Sequence, residues 1–127
     1  MAIHKSSEDY LEAILILSQK NHKVRSIDIV NQLGFSKPSV SVAMKKLRES
    51  NQIEMDSDGY IVLTNDGMNI AKTILERHNF IADLLVALGV DQKIALEDAC
   101  KIEHDISEES FVALKKLSDN VDFDKLK

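Results

Sequence analysis

Three side chains that can bind a metal or act in nucleophilic chemistry lie close together in the segment EDACKIEHDIS, residues 97–107. They are Cys100, the only cysteine of the chain, and the adjacent pair Glu103 and His104. Successive residues of an α-helix are turned by about 100°, so these side chains share one side of a predicted helix. A thiolate, a carboxylate and an imidazole suit a divalent transition metal better than calcium or magnesium. The spacing therefore predicts part of a transition-metal site.

Residues elsewhere in the chain can supply further ligands to such a site. Asp9 and Glu12 offer two carboxylates at positions i and i+3 of a predicted first helix. His78 interrupts the apolar stripe of a predicted long helix, where a buried imidazole needs a carboxylate or a metal as its partner. The candidate metal ligands are Asp9, Glu12, His78, Cys100, Glu103 and His104.

Each candidate ligand also has a purely structural interpretation. Asp9 can close a capping box with Ser6, and Glu12 can be a solvated residue of its helix. His78 can be a hydrogen-bonded core histidine, and Cys100 a small buried apolar residue. Glu103 and His104 can be ordinary surface residues. Taken singly, the structural interpretation is the commoner one for every residue, whereas together they favour a metal site if three helices converge.

Hydrophobic periodicity predicts the elements that carry the N-terminal candidates. Apolar residues at helical spacing predict helices over Ser7–Lys20, between Ser26 and Gly34, and over Pro38–Ser50. Ser26 is the expected N-cap of the second helix and Gly34 its end. The alternating segments QIEM and YIVLT flank the turn DSDG, and they predict a two-stranded hairpin.

Three further helices are predicted in the C-terminal half. They are a long helix over Asn65–Leu88, a fifth helix capped by Asp91 that reaches Asp105, and a sixth capped by Ser107 that reaches about Leu117. The residues of the fifth helix predicted to face the core are Ala95, Ala99, Ile102 and Ile106. The tail beyond the sixth helix is expected to be frayed. The predicted fold is mainly α, with a winged helix-turn-helix over residues 1–64 and a helical domain over residues 65–127.

Helix, short turn, helix and hairpin is the element order of a winged helix-turn-helix domain. The helix that begins at Pro38 would enter the major groove of DNA. Its residues Val40, Met44 and Leu47 would face the core. The candidate DNA contacts at and near its start are Ser36, Lys37, Pro38, Ser39, Ser41, Val42, Lys45 and Lys46. A helical bundle in which the hairpin is only structural is the alternative.

Charge and composition limit the partners and the location of the protein. Residues 1–64 carry eight basic and eight acidic side chains, whereas residues 65–127 carry eight basic and thirteen acidic ones. The total of −5 argues against indiscriminate nucleic-acid binding but allows a local basic patch. The wing tip DSDG is acidic, so strong phosphate contacts are not expected there. Neither a membrane span nor a secretory signal is expected, and a single cysteine fits a cytoplasmic protein.

Four segments resemble the diphtheria toxin repressor family of metal-dependent transcription repressors, in particular its short manganese transport regulator branch. SEDYLEAIL is similar to the family's first helix, FSKPSVSVAMKKL to its recognition helix, and ERHNFIADLLVALGV to its long dimer-linking helix. EDACKIEHDIS resembles its most specific motif. The resemblance extends over nearly the whole chain. It implies a repressor of metal-uptake genes that binds a palindromic double-stranded DNA operator as a homodimer through its C-terminal helices.

The resemblance also implies roles for the candidate ligands. The positions of a principal metal site are matched by Asp9, Cys100, Glu103 and His104. The positions that build a second site in the manganese branch are matched by Glu12 and His78. Residues 65–127 would then form a metal-binding and dimerisation domain.

Three positions make the chain a mixed type within this family. Asp9 resembles the manganese branch, since the iron branch usually has methionine there, whereas Cys100 resembles the iron branch. Leu96 stands where the iron branch has an ancillary histidine ligand. Carboxylates suit Mn²⁺, and a thiolate favours Fe²⁺, Co²⁺ or Zn²⁺. The expected cofactor is therefore Mn²⁺ or Fe²⁺, with Zn²⁺ or Co²⁺ binding in vitro.

Two other functions fit parts of the sequence. Cys100 would be a nucleophile if His104, one turn away, were its base. No evident third group orients that base, and the winged helix would stay unexplained, so we do not expect an enzyme. The second alternative is a winged-helix regulator that senses another ligand or a protein partner and has no metal switch.

Overall fold

The computed structural model describes residues 5–21 and 23–119, with side chains from Ser7 onward. The elements in chain order are α1 (Lys5–Asn21), α2 (Ser26–Leu33), α3 (Lys37–Glu49), β1 (Ile53–Met55), β2 (Ile61–Leu63), α4 (Asn65–Ala87), α5 (Gln92–Asp105) and α6 (Glu108–Asp119). This order confirms the mainly α fold with its winged helix-turn-helix. No helix within the described residues is long and apolar enough to span a membrane.

The chain divides into two compact units between Thr73 and Ile74, within α4. The first unit contains α1, α2, α3, the hairpin and the start of α4. The second contains the rest of α4 with α5 and α6. The domain boundary after residue 64 remains a prediction based on the sequence pattern.

One apolar core holds the first unit together. α1 packs against α2, α3 and β2. The buried residues at its centre are Leu11, Ile14, Val24, Ile29, Val40, Met44, Leu47, Ile53 and Ile61. Val40, Met44 and Leu47 thus face the core as predicted, because positions i, i+4 and i+7 share one side of a helix. Val42 lies on the opposite side of α3 and is 55% exposed, also as predicted.

Local hydrogen bonds define where the first three helices begin and end. The N-cap of α2 is Arg25 rather than the predicted Ser26, because the Asp28 carboxylate accepts from the Arg25 backbone N–H at 2.9 Å. Gly34 ends α2 in the left-handed conformation, with φ 74°, as expected. α3 begins at Lys37, one residue earlier than predicted, because the Ser36 hydroxyl caps it by accepting from the Ser39 backbone N–H.

The capping box predicted for α1 is wrong. The described part of α1 begins at Lys5, so Ser6 lies inside the helix and cannot be its N-cap residue. Asp9 therefore lies on a continuous helix and does not close a capping box at its start. This removes the structural role that the sequence pattern offered for the Asp9 carboxylate.

The wing is an antiparallel hairpin that gains a short third partner. β1 and β2 pair with Glu54 opposite Val62. The turn is closed by the Asp56 carboxylate, which accepts from the backbone N–H groups of Asp58 and Tyr60, both at 2.9 Å. Beside β2, Val24 forms a single bridge to Ile61, whose N–H donates to the Val24 carbonyl at 2.7 Å. Val24, which lies between α1 and α2, thus joins the sheet.

The second unit has its own smaller core. Ile81 and Ala82 of α4 pack with Ala99 of α5, and the ring of Phe80 meets Phe111 of α6 edge-on at 5.5 Å. α5 is capped by Asp91, whose carboxylate accepts from the Lys93 backbone N–H, as predicted. α6 extends to Asp119, beyond the predicted end at Leu117, and residues 120–127 of the predicted tail lie outside the described residues.

The buried side of α5 differs from the prediction by one residue. Ala95 and Ala99 are fully buried as expected, but Ile102 is 38% exposed. Glu103 occupies the next buried position, since Ala95, Ala99 and Glu103 follow one another at intervals of four. Ile106 ends the helix as its C-cap residue and is half-buried. A carboxylate is therefore buried where an apolar side chain was expected.

Candidate metal centre and DNA-binding surface

The Glu103 carboxylate is the centre of the polar cluster in the second unit. Its side chain is fully buried. Two small residues, Ala95 and Ala99, precede it on the same side of α5 and are themselves fully buried. Burying a carboxylate is unfavourable unless it is hydrogen-bonded or paired with positive charge. A buried carboxylate in this position needs partners of that kind.

Each oxygen of the Glu103 carboxylate faces a different histidine. Oε2 lies 2.8 Å from Nδ1 of His78, and Oε1 lies 3.3 Å from Nε2 of His104. The side chain of His104 is 1% exposed and that of His78 is 20% exposed. His78 thus has the carboxylate partner that a histidine on an apolar stripe requires. The two oxygens of this one buried carboxylate thus face separate imidazoles.

Cys100 completes a three-ligand group on one side of α5. One ligand atom from each of Cys100, Glu103 and His104 lies within 4.8 Å of the others, and the thiol is half-buried. A bond to a first-row cation is about 2.0–2.3 Å, so two ligands of one ion are separated by at most about twice that length. The Glu103 carboxylate oxygen Oε1 and the His104 nitrogen Nε2 are 3.3 Å apart, which is within that limit. The three donors therefore fit a single transition-metal ion.

The two carboxylate candidates of the first unit lie on α1. Asp9 and Glu12 are separated by about one turn and both are half-buried. Asp9 is followed by Tyr10, which is buried and packs edge-on against Phe35 at 5.7 Å. Burial raises the pKa of the Tyr10 hydroxyl, and the negative charge of Asp9 raises it further. Asp9 thus belongs to a helix that packs on the connection just before the recognition helix.

The predicted DNA contacts form one exposed surface at the start of α3 and along its outer side. The exposed residues are Ser36, Lys37, Pro38, Ser39, Ser41, Val42, Lys45 and Lys46. Serine hydroxyls and lysine ammonium groups are donors to phosphates and base edges. A valine in the major groove can contact a thymine methyl group. Their common exposure is what a recognition helix requires.

Two basic residues at the base of the wing were missed by the sequence interpretation. Lys23 and Arg25 are exposed, and their cationic groups lie 4.9 Å and 4.5 Å from the centroid of the Tyr60 ring. Because Val24 is buried against the hairpin, its two neighbours point outward, as in any extended strand. The outer face of the wing therefore carries two cations as well as Glu54. The only signal in the sequence was the alternation K-V-R, which is too short to predict a strand.

Comparison with known proteins identifies both halves of the chain. Residues 2–67 match the profile of the iron dependent repressor N-terminal DNA binding domain. Residues 64–126 match the profile of the iron dependent repressor metal binding and dimerisation domain. These matches favour a metal-dependent repressor over the alternative function, a regulator without a metal switch.

Individual relatives are transcription regulators from bacteria and archaea. The transcriptional regulator MntR of Escherichia coli O6:H1 is 35% identical over 85% of this chain and 70% of its own length. An uncharacterised HTH-type transcriptional regulator of Methanocaldococcus jannaschii is 36% identical over 87% of this chain and 90% of its own. The structure of the manganese regulator SloR superimposes with a TM-score of 0.78 and 28% identity, and covers 89% of this chain and 53% of that one. The chain thus belongs to the iron-dependent, or diphtheria toxin, repressor family of metal-dependent DNA-binding transcription repressors, in its MntR-like branch.

Proposed function

We propose that this repressor is activated by Mn²⁺ or Fe²⁺ and binds a palindromic operator as a homodimer, which shuts off genes for metal uptake. The observation that carries the proposal is the buried Glu103 carboxylate between His78 and His104, with Cys100 beside it. Such a donor set has the chemistry of a metal centre. A high metal concentration should repress the uptake genes, because further import of the ion is then not needed.

The proposed ligands come from both units of the chain. The principal ion would be held by Asp9, Cys100, Glu103 and His104. A second ion would be held by Glu12, His78 and Glu103. Support for the two α1 carboxylates comes from the family resemblance, and from the open positions that three ligands on one helix leave around an ion. The two oxygens of Glu103, each facing its own imidazole, support the inclusion of Glu103 in both ligand sets.

The donor set favours Mn²⁺ or Fe²⁺ as the physiological ion for chemical reasons. Carboxylates from Asp9, Glu12 and Glu103 are hard ligands that suit Mn²⁺, whereas the Cys100 thiolate increases affinity for Fe²⁺. SloR, a structural neighbour at 28% identity, is a manganese regulator, and this supports Mn²⁺ for the present chain. Zn²⁺ and Co²⁺ are expected to bind in vitro, because affinities follow the Irving–Williams order.

The proposed switch acts through α1. The α1 carboxylates of Asp9 and Glu12 would be held beside the α5 ligands by the charge of a divalent cation, which would offset the repulsion among the carboxylates. Tyr10, next to Asp9, packs on Phe35 immediately before α3, so α1 and the recognition helix move together. In the homodimer this fixes two recognition helices roughly 34 Å apart, one turn of DNA.

Dimerisation through the second unit is supported by its apolar surface. The exposed large apolar residues in the described part of this unit are Val86, Leu88, Ile94, Leu96, Ile102, Val112 and Leu117. An interface that covered them would remove apolar area from water. The matched dimerisation profile over residues 64–126 makes a second copy of the chain its expected partner.

Operator binding measured with and without metal tests the proposal. A duplex selected from a random double-stranded library in the presence of Mn²⁺ serves as the fluorescent probe for anisotropy titrations. We expect the wild-type protein to bind it at least about tenfold more tightly with Mn²⁺ than with a chelator, the range of typical coupling energies. His104→Ala should abolish that difference, while Glu97→Ala, an exposed change on the same helix, should preserve it. Equal wild-type affinity with and without Mn²⁺ and Fe²⁺ would show that the switch is wrong.

A further inference from the structure

The end of α5 lies beside a buried arginine of α4. The side chain of Arg77 is only 12% exposed. Its Nη1 donates to the backbone carbonyl of Glu103 at 3.3 Å and to that of Ile106 at 3.0 Å. The last four carbonyls of a helix have no partner within the helix, and Glu103 is among them in α5. Arg77 thus satisfies one of these carbonyls from another helix, together with the carbonyl of the C-cap residue.

The other side of the same guanidinium is attached to α6. Nη2 donates to the Glu108 carboxylate at 2.7 Å, and the guanidinium carbon lies 5.3 Å from the centroid of the Phe111 ring. An arginine fork is planar and always charged, so it presents several donors in one fixed arrangement. Arg77 therefore connects α4, the end of α5 and the start of α6 through a single rigid group.

Two adjacent residues of α4, Arg77 and His78, each contact Glu103. Its carboxylate faces Nδ1 of His78, and its backbone carbonyl accepts from Arg77, the preceding residue. The next residue of α5 is His104, whose Nε2 faces the same carboxylate. A positive charge at the C-terminal end of α5 also interacts favourably with the helix dipole. The position and rotation of the last turn of α5 thus depend on Arg77.

We infer that Arg77 is a positioning residue of the metal centre, which orients Glu103 and His104 for coordination without itself being a ligand. This inference rests on the proposed function of the site. Groups that orient metal ligands contribute about 10–100-fold to metal affinity. Arg77 acts on the backbone of the ligand helix, so removing it should weaken metal binding even where the ligands are intact.

Lys115 provides a matched control for the loss of Arg77. Its ammonium group lies 5.7 Å from the centroid of the same Phe111 ring, and it is hydrogen-bonded to Glu76, the residue before Arg77. Lys115 thus also connects α6 to α4. No described hydrogen bond of Lys115 reaches α5. Arg77→Met and Lys115→Met each remove one cation from the same ring and one link between the same two helices.

The test measures Mn²⁺ affinity of the full chain by competition with a fluorescent chelator, well below the melting temperature of every metal-free variant. We expect Arg77→Met to weaken Mn²⁺ binding by about 10–100-fold, and Lys115→Met to change it less than about threefold. Arg77→Lys keeps the charge but loses the fork, and it should restore part of the affinity. The linewidth of the bound Mn²⁺ in electron paramagnetic resonance should broaden or shift in Arg77→Met and not in Lys115→Met.

A milder variant tests the inference even if Arg77→Met does not fold. Glu108→Gln removes the negatively charged partner of Arg77 Nη2. Because the Glu108 side chain is 71% exposed, the melting temperature should change little. Mn²⁺ binding should weaken several-fold. The inference is overturned if folded Arg77→Met binds Mn²⁺ like the wild-type protein, or if Lys115→Met weakens binding as much as Arg77→Met does. Should Arg77→Met not fold, wild-type Mn²⁺ binding by both Arg77→Lys and Glu108→Gln overturns it. A wild-type protein that binds no divalent metal would instead overturn the proposed function itself.

Discussion

Glu103 shows most clearly how a single residue combines stability and function. A fully buried carboxylate flanked by two imidazoles is weak evidence for stability, because the cost of desolvation offsets most of the gain from pairing. The spacing of Cys100, Glu103 and His104 was readable from the sequence, but the depth of Glu103 was not. Which residue of α5 faces inward depends on how the helix is rotated against α4. In the structure Glu103 is buried, whereas Ile102 is 38% exposed.

Replacement of Glu103 by glutamine should separate folding from metal binding. The amide keeps the shape of the carboxylate and can still accept from His78, so the metal-free melting temperature should change by only a few degrees. The charge and the second anionic oxygen are lost, so stabilisation by Mn²⁺ should disappear. In the wild-type protein, Mn²⁺ at 100 times its dissociation constant should add about 2.7 kcal/mol.

Thermal melts with and without Mn²⁺ measure both effects of Glu103→Gln. Glu97→Gln is the control, since Glu97 is an exposed residue of the same helix. The control should keep the full Mn²⁺-dependent rise in melting temperature. An equal rise in Glu103→Gln would contradict the assignment of Glu103 as a ligand.

Lys23 and Arg25 should contribute to DNA affinity without contributing to sequence preference. Both are exposed cations on the outer face of the wing, and the Tyr60 ring restricts their movement. Each phosphate contact that is lost should reduce the slope of log affinity against log salt by about 0.9. Lys23→Ala and Arg25→Ala should therefore weaken binding to all duplexes alike.

Anisotropy titrations over a range of salt concentrations check this expectation. Lys45→Ala on the recognition helix is the positive control, and Lys93→Ala, an exposed change in the second unit, is the negative control. Unchanged salt slopes for both wing variants would mean that their role is confined to packing on Tyr60.

At the level of elements, the sequence predicted the order well and the details less well. The change from a helical to an alternating pattern located the hairpin, and Gly34 and Asp91 located helix ends, because these signals are local. Val24 joins the sheet through a single bridge, which leaves no periodic pattern to read. The contacts of Arg77 with Glu103 and Ile106 connect residues 26 and 29 positions apart, so no local rule could have found them.

Gly67 shows how closely the hairpin and the start of α4 approach one another. A Cβ atom at this position would lie 1.9 Å from the backbone oxygen of Gln52, and backbone cannot move aside as a side chain can. Nearby, the Thr64 hydroxyl donates to the Asn51 carbonyl at 2.7 Å and accepts from the Gly67 N–H at 3.1 Å. Only glycine fits this junction without displacing the chain.

Gly67→Ala should therefore destabilise the protein although alanine favours helices. The propensity gain is about 1 kcal/mol, while forced overpacking costs about 1–3 kcal/mol. We expect a net loss of stability, visible as a lower midpoint in urea unfolding followed by circular dichroism. Asn69→Ala, an exposed change two residues further along α4, should shift the midpoint little. A midpoint for Gly67→Ala at or above that of the wild-type protein would contradict the close approach.

For the whole molecule, the family and the described site together require that metal and DNA affect each other's binding. The proposed metal ligands of α5 are in one unit, and the exposed residues of α3 are in the other. Any influence of one ligand on the other is a coupling free energy, and it must be the same in both directions. The proposed switch acts through α1, which lies outside the dimerisation domain over residues 64–126, so the dimer should persist when metal is removed.

Reciprocal titrations provide the sharpest test at this scale. The factor by which saturating Mn²⁺ tightens operator binding should equal the product of the factors by which the operator duplex tightens the binding of each Mn²⁺ ion of the dimer, since both measure one thermodynamic cycle. A scrambled duplex should tighten Mn²⁺ binding less, and light scattering should show the same dimer with Mn²⁺ and with chelator. If the operator leaves Mn²⁺ affinity unchanged, the ion does not select the DNA-binding conformation, however tightly it is bound. If chelation instead dissociates the dimer, metal controls assembly, and the spacing of the recognition helices is set by dimerisation and not by the position of α1.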